Sequence, residues 1–266
     1  ILGPDHPDTL ASRNNLANAY QDAGRIDEAI PLYEQNLEDR IHILGPDHPD
    51  TLASRNNLAV AYQDAGRIDE AITLQEQNLE DSIHILGPHH PHILTARNNL
   101  AVTYHDAGKL DEATTLYEQT LIDLTRILGP HHHSTLTSRN NLAVTYLDTG
   151  RLDEAITLYE QTLIDLTRIL GPHHPSTLIS RNHLASAYQD AGRLDEAITL
   201  YEQTLKDCTR ILGPHHPNTL TTRNNLAEAY RAAGRFEDAD KLFETPSDSE
   251  DEQDGTEEDP DQETGD

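Results

Sequence analysis

Asparagine and histidine are the residues whose spacing could do chemistry in this chain. Asn14, Asn56, Asn98, Asn140, Asn182 and Asn224 recur every 42 residues, and Asn15, Asn57, Asn99, Asn141 and Asn225 directly follow five of them. A side-chain amide both donates and accepts, so a row of amides can bond an extended peptide backbone whatever that peptide's sequence. The competing reading is that one amide of each pair bonds neighbouring backbone or a helix end. The 16 histidines include His89-His90, His131-His132-His133, His173-His174 and His215-His216. Ligands of one zinc ion lie about 2 Å from it, whereas equivalent turns of stacked helices lie roughly 10 Å apart. These histidines therefore read as N-cap and turn residues, not as metal ligands, with a pH response as a separate chemistry. No glycine-rich phosphate loop, serine elbow or suitable Cys–His pair is present, so neither an enzyme active site nor a cofactor is expected.

The elements that must position these residues follow from the repeat. Gly3, Gly45, Gly87, Gly129, Gly171 and Gly213 fall 42 residues apart, and a period of 20–50 residues is the mark of a stacked array. In the first unit Gly3-Pro4 breaks the chain and His6-Pro7-Asp8 opens a helix. His6 lies near the N-cap, Pro7 sits where a missing N–H costs nothing, and Asp8 faces the positive dipole end. The helix runs to about Ala23 and stops at Gly24, which suits a left-handed cap. A second helix opens on Asp27-Glu28 and continues to about Ile43. Each is roughly 25 Å long at the helical rise per residue.

On a helical wheel Leu10, Leu16, Ala17 and Tyr20 share one arc of the first helix with Arg13. Ala11, Asn14, Asn15, Asn18, Gln21 and Asp22 take the opposite arc. Ile26, Ile30, Tyr33, Leu37, Ile41 and Leu44 form a narrow apolar stripe on the second helix, flanked by Ala29. Neither helix buries its stripe alone, so the pair packs antiparallel and the next pair packs on it. The expected fold class is an all-α solenoid of antiparallel helix pairs.

Composition narrows the function classes. The formal charge is −28, and residues 245–266 hold 11 of the 47 acids but none of the 19 Lys and Arg. The remainder is still acidic and repels phosphate backbones, which excludes nucleic acid as an expected partner. No apolar run approaches the roughly 18 residues of a membrane span, and no secretory signal is present. The single cysteine, Cys208, rules out an internal disulfide framework and fits a reducing, cytoplasmic setting. The chain opens on Ile1-Leu2, the tail of a repeat, and has no methionine, so a fragment of a longer protein is expected.

Asn-Asn-Leu-Ala, then Tyr, Gly and Asp-Glu-Ala at these offsets resembles the tetratricopeptide repeat. The leader Leu-Gly-Pro-Asp-His-Pro is similar to the 42-residue version of kinesin light chains and of bacterial and fungal regulatory proteins. The resemblance spans residues 1–244 as six units, the last shortened, and implies a right-handed superhelix. Its concave side would then be lined by the asparagine arc of the first helices. In the kinesin-light-chain type, asparagines at these positions hold cargo peptides, which points to Asn14, Asn56, Asn98, Asn140, Asn182 and Asn224, with Asn57, Asn99 and Asn141 beside them. The implied function is a scaffold that binds an extended protein or peptide segment. The alternative is a structural or sensory arm of a larger signalling ATPase that self-associates or restrains its neighbour.

Val60, Val102 and Val144 stand at the centre of the same arc, where other units have Asn18, Ser186 and Glu228; Leu147 and Ile179 lie nearby. They either bury a partner's side chain or pack against the adjacent first helix. Asp22, Asp64, Asp106, Asp148 and Asp190 edge the arc and favour a basic or neutral ligand, unless they are solvated helix ends.

Departures between units carry further expectations. Arg13 and its equivalents replace the large aromatic of the 34-residue consensus, and a carboxylate such as Glu34 or Glu38 is its expected partner. Pro31 predicts a slight bend and not a break. Gln75 stands where siblings have Tyr33, Tyr117, Tyr159 and Tyr201 and predicts local loosening. His133 replaces the helix-opening proline, and His183 replaces the second asparagine. From Thr245 the chain lacks large apolar residues and reads as an acidic disordered tail.

Overall fold

The computed structural model describes Gly3 and residues 5–243. These residues form twelve α-helices and, among the described residues, no strand. The first helices of the successive hairpins are α1 (Pro7–Asp22), α3 (Pro49–Asp64), α5 (Pro91–Asp106), α7 (His133–Asp148), α9 (Pro175–Asp190) and α11 (Pro217–Ala232). The second helices are α2 (Ile26–Leu44), α4 (Ile68–Leu86), α6 (Leu110–Ile127), α8 (Leu152–Leu170), α10 (Leu194–Leu212) and the short α12 (Phe236–Lys241). The described residues up to Ser180 make one compact unit and those from Arg181 a second. Residues 245–266, expected to be a disordered acidic tail, lie outside the described residues.

Each hairpin is built from the same local chemistry. His6, His48, His90, His132 and His216 stand in extended backbone at N-caps, and each Nδ1 accepts the N–H two residues on, at 3.1–3.3 Å. An orphan donor of the helix start is thereby satisfied. Gly24 closes α1 in the left-handed region (φ 72°), where Arg25 N–H reaches Tyr20 O at 2.8 Å and Gly24 N–H reaches Gln21 O at 2.8 Å. That is a Schellman pattern, and only glycine adopts it without strain. The second helices have no side-chain cap at their N-termini; paired acids such as Asp27 and Glu28 face the positive dipole end instead. α2 runs unbroken through Pro31.

Packing follows the small residues. Ala17, Ala29, Ala59 and Ala71 are fully buried and let the helices approach closely. In the first unit one core joins α1 to α4 around Tyr33, Leu37 and Leu58, and another joins α5 to α8 around Tyr117, Leu142 and Tyr146. In the second unit Ile198, Tyr201, Leu226 and Tyr230 make a core of their own. Leu58, Leu100 and Leu142 are each 3% exposed, but Leu16 at the same offset is 48% exposed, because no described second helix covers it.

Two recurring polar contacts fix the register. Within a hairpin, Arg55 Nη1 donates to Asp81 Oδ2 at 2.6 Å, Arg97 to Asp123 at 2.8 Å and Arg139 to Asp165 at 2.8 Å. Arg13 pairs likewise with Asp39, which holds that carboxyl below the usual range, chiefly through the guanidinium hydrogen bond. The partner is thus neither Glu34 nor Glu38. Glu38 is exposed, and Glu34 is turned to the next hairpin, where it accepts Tyr62 Oη–H at 2.8 Å. That second contact repeats as Tyr104 to Glu76 (2.6 Å), Tyr146 to Glu118 (2.7 Å) and Tyr230 to Glu202 (2.7 Å). Burial, reinforced by the carboxylate, pushes the Tyr62, Tyr146 and Tyr230 hydroxyls up to about 12.

Gln75 breaks the pattern of buried tyrosines. It is 5% exposed, and neither its Nε2 nor its Oε1 has a partner. At the same offset the Tyr33 hydroxyl lies 2.6 Å from Asn18 Oδ1 and 2.8 Å from Gln21 Oε1. A buried unpaired amide costs about 1–3 kcal/mol. Gln75→Tyr is therefore expected to raise unfolding free energy by roughly that amount in a urea titration; an unchanged or lowered midpoint would contradict it.

Candidate functional site

The first helices of the first unit lie side by side, joined by side chains that reach from one to the next. Gln21 Nε2 donates to Asp64 Oδ2 and Gln63 Nε2 to Asp106 Oδ2, both at 2.6 Å, and His105 Nε2 lies 2.6 Å from Asp148 Oδ2. Asp64, Asp106 and Asp148 are exposed carboxylates that also accept these bonds. The edge of the face is therefore a bonded ladder as well as a row of charge.

The asparagines divide by what they touch. Asn57 Nδ2 donates to Asn14 Oδ1 at 3.1 Å and ties α3 to α1. Burial pushes the Tyr117 and Tyr201 hydroxyls up, and Asn141 beside the first and Ser186 and Asn225 beside the second partly offset this. Asn140 is half-buried and engaged within the protein. These residues serve the array's own packing. Asn56 and Asn99 have no side-chain hydrogen bond among the described residues. Both line a cavity of about 470 Å³ between α3, the end of α4 and α5, together with Asn57. Asn98 lines the next cavity, about 460 Å³, and its Oδ1 is buried without a partner. Asn182 Oδ1 in α9 is likewise unpartnered, and Asn224 in α11 is exposed.

Val60, Val102 and Val144 are half-buried, not open. Val102 packs against the core that contains Leu142 and Tyr146. A β-branched side chain at that height contributes to the hairpin interface whatever else it meets.

One member of the cavity was not picked out by the sequence reading. Asn78, in α4, is 7% exposed, lines the cavity of Asn56 and Asn99, and leaves its Oδ1 unpartnered. Later units carry threonine at this offset, and Thr120, Thr162 and Thr204 satisfy themselves by donating to their own helix at 2.7–2.8 Å. An amide in place of a self-satisfying hydroxyl is the signal that marks it. The neighbouring His90 and His92 rings stack at 5.3 Å, and His90 is held as the α5 cap. Among the described residues no three His, Cys, Asp or Glu side chains converge as metal ligands.

His183, in the second-asparagine position of α9, has its pKa pushed below the ordinary 6.5 by burial. The unfolded chain then takes up a proton at higher pH than the folded one, so stability falls as pH drops below about 6.5. His183→Asn removes this component. The expected result is a Tm gap, variant minus parent, that widens between pH 7.5 and 5.5 in a thermal melt; a constant gap would refute it.

The tetratricopeptide repeat family model matches residues 8–80, 55–121, 93–163, 148–206 and 176–245. A solved kinesin-light-chain-like protein of nearly identical TPR-like repeats from Podosopora anserina is 36% identical, covering 77% of this chain and 97% of its own, with a TM-score of 0.72. BtubC from P. vanneervenii shares the fold at 21% identity, with 88% of each chain covered and a TM-score of 0.63. The signal-transduction ATPase with a tetratricopeptide repeat sensor from Pyrococcus horikoshii shares it at 13% identity and a TM-score of 0.70, over 91% of this chain and 36% of that one. No curated protein matches this chain.

Proposed function

We propose, on the premise that this chain belongs to the tetratricopeptide repeat family, that its first-helix face binds an extended segment of a partner protein. Tetratricopeptide repeats mediate protein–protein interaction, and such proteins are generally non-catalytic scaffolds. Among the described residues, no helix is long and apolar enough to cross a membrane. The observation that carries the reading is the cavity of Asn56, Asn99 and Asn78. The first two amides have no internal bond, and the Asn78 carbonyl is desolvated without compensation. A peptide backbone supplies both the N–H and the C=O that such a set lacks, in the sequence-independent manner of backbone recognition. Asn98, one hairpin on, extends the same chemistry along the chain.

Asn56→Ala combined with Asn99→Ala tests this without touching a packing contact. Capture of partner protein from native extract is expected to fall at least about tenfold, the worth of two or so net hydrogen bonds, with helicity unchanged by circular dichroism. Undiminished capture by the double variant would end the reading.

A further inference from the structure

A further groove lies away from the asparagines. It has a volume of about 670 Å³ and is walled by α4 and α6 over a floor from α5. Its floor is apolar, with Leu79, Ile83, Leu100 and Leu116, and its rim carries Glu76, Glu80, Asp111 and Glu112.

What sets this junction apart is a missing guanidinium. At sibling junctions an arginine closes over the tyrosine rung. Arg67 sits 4.0 Å above the Tyr62 ring and bonds Glu70 at 2.7 Å. Arg151 sits 4.0 Å above Tyr146 and bonds both Glu154 (3.0 Å) and Glu118 (3.3 Å). At α6 the residue is Lys109, 5.9 Å from the Tyr104 ring centroid. Glu112 has no ion-pair partner among the described residues. The following junction also carries Arg126 where this one has His84, and Ile122 where this one has Glu80. The groove thus combines an uncovered apolar floor with carboxylates that no arginine neutralises.

We infer that this groove is a second docking surface, occupied by a basic amphipathic helix of a partner protein. A leucine-type side chain enters the floor and flanking lysines or arginines meet Glu80, Asp111 and Glu112. Charge decides the occupant: a second copy of this chain, at −28, brings the wrong sign, and anionic lipid does likewise. An apolar anchor ringed by opposite charge is how helix-in-groove recognition combines affinity with orientation.

The test uses the full chain and a fluorescent helical peptide of leucine and lysine, with a leucine–glutamate peptide of the same pattern as control, read by anisotropy. The lysine peptide is expected to bind and the glutamate peptide not. Lys109→Arg restores the guanidinium lid, and Thr115→Trp, on the exposed rim, fills the groove without altering charge; each is expected to weaken binding at least about tenfold. Asn56→Ala with Asn99→Ala is expected to leave it unchanged, which separates this surface from the first-helix face. Absence of binding, or binding that Lys109→Arg and Thr115→Trp both leave intact, would overturn the inference.

Discussion

A hairpin of this protein has no complete interior of its own. Leu58, Leu100 and Leu142 are almost wholly buried, while Leu16, at the same offset in the same local sequence, is half in solvent. The difference is a neighbouring second helix. Burying such a leucine is worth roughly 1.5–3 kcal/mol, and that gain exists only across a junction. Stability in such an array therefore resides in interfaces between units as much as in the units.

The polar contacts sharpen what that burial leaves loose. Apolar surfaces tolerate sliding; a hydroxyl on a carboxylate does not. The bonds from Tyr62 to Glu34 and from Tyr104 to Glu76 each tie a first helix to the preceding second helix at one height. The arginine–aspartate pairs do the same inside a hairpin. Arg55 and Arg139 are nearly buried at their guanidinium ends, so losing either aspartate would strand a charge in a poorly solvated place. These contacts leave over the amides that no neighbour uses, Asn56 and Asn99, and the junction where Lys109 stands for an arginine.

The helices, their caps and the faces they bury were legible because each rests on local chemistry repeated at a fixed interval. His48 caps, Gly24 stops, and Ala17 permits close approach for reasons visible within a few residues. What escaped depends on neighbours. The partner of Arg13 was misplaced because Glu38 and Asp39 differ by a single 100° step on the helix, and only the antiparallel partner decides which of them faces inward. The pairing of Tyr62 with Glu34 crosses a junction, so no pattern inside one unit announces it. Asn78 was passed over because an amide beside an apolar stripe looks solvated until its threonine counterparts are seen to be buried. Which amide of each pair bonds within the array depends on the neighbouring hairpin: Asn57 donates to Asn14, while Asn56 and Asn99 have no side-chain hydrogen bond among the described residues.

The constancy of the tyrosine rung has an evolutionary corollary. Because the junctions of Tyr62 with Glu34 and of Tyr104 with Glu76 present the same donor to the same acceptor, excising residues 43–84 would set Tyr104 before Glu34, a junction of the same chemistry as the one removed. Whole units can be lost or duplicated by recombination without a new interface having to be invented. The length of the array is thus free to drift in steps of 42 residues, and the individuality of the protein rests on the few positions where copies have ceased to match.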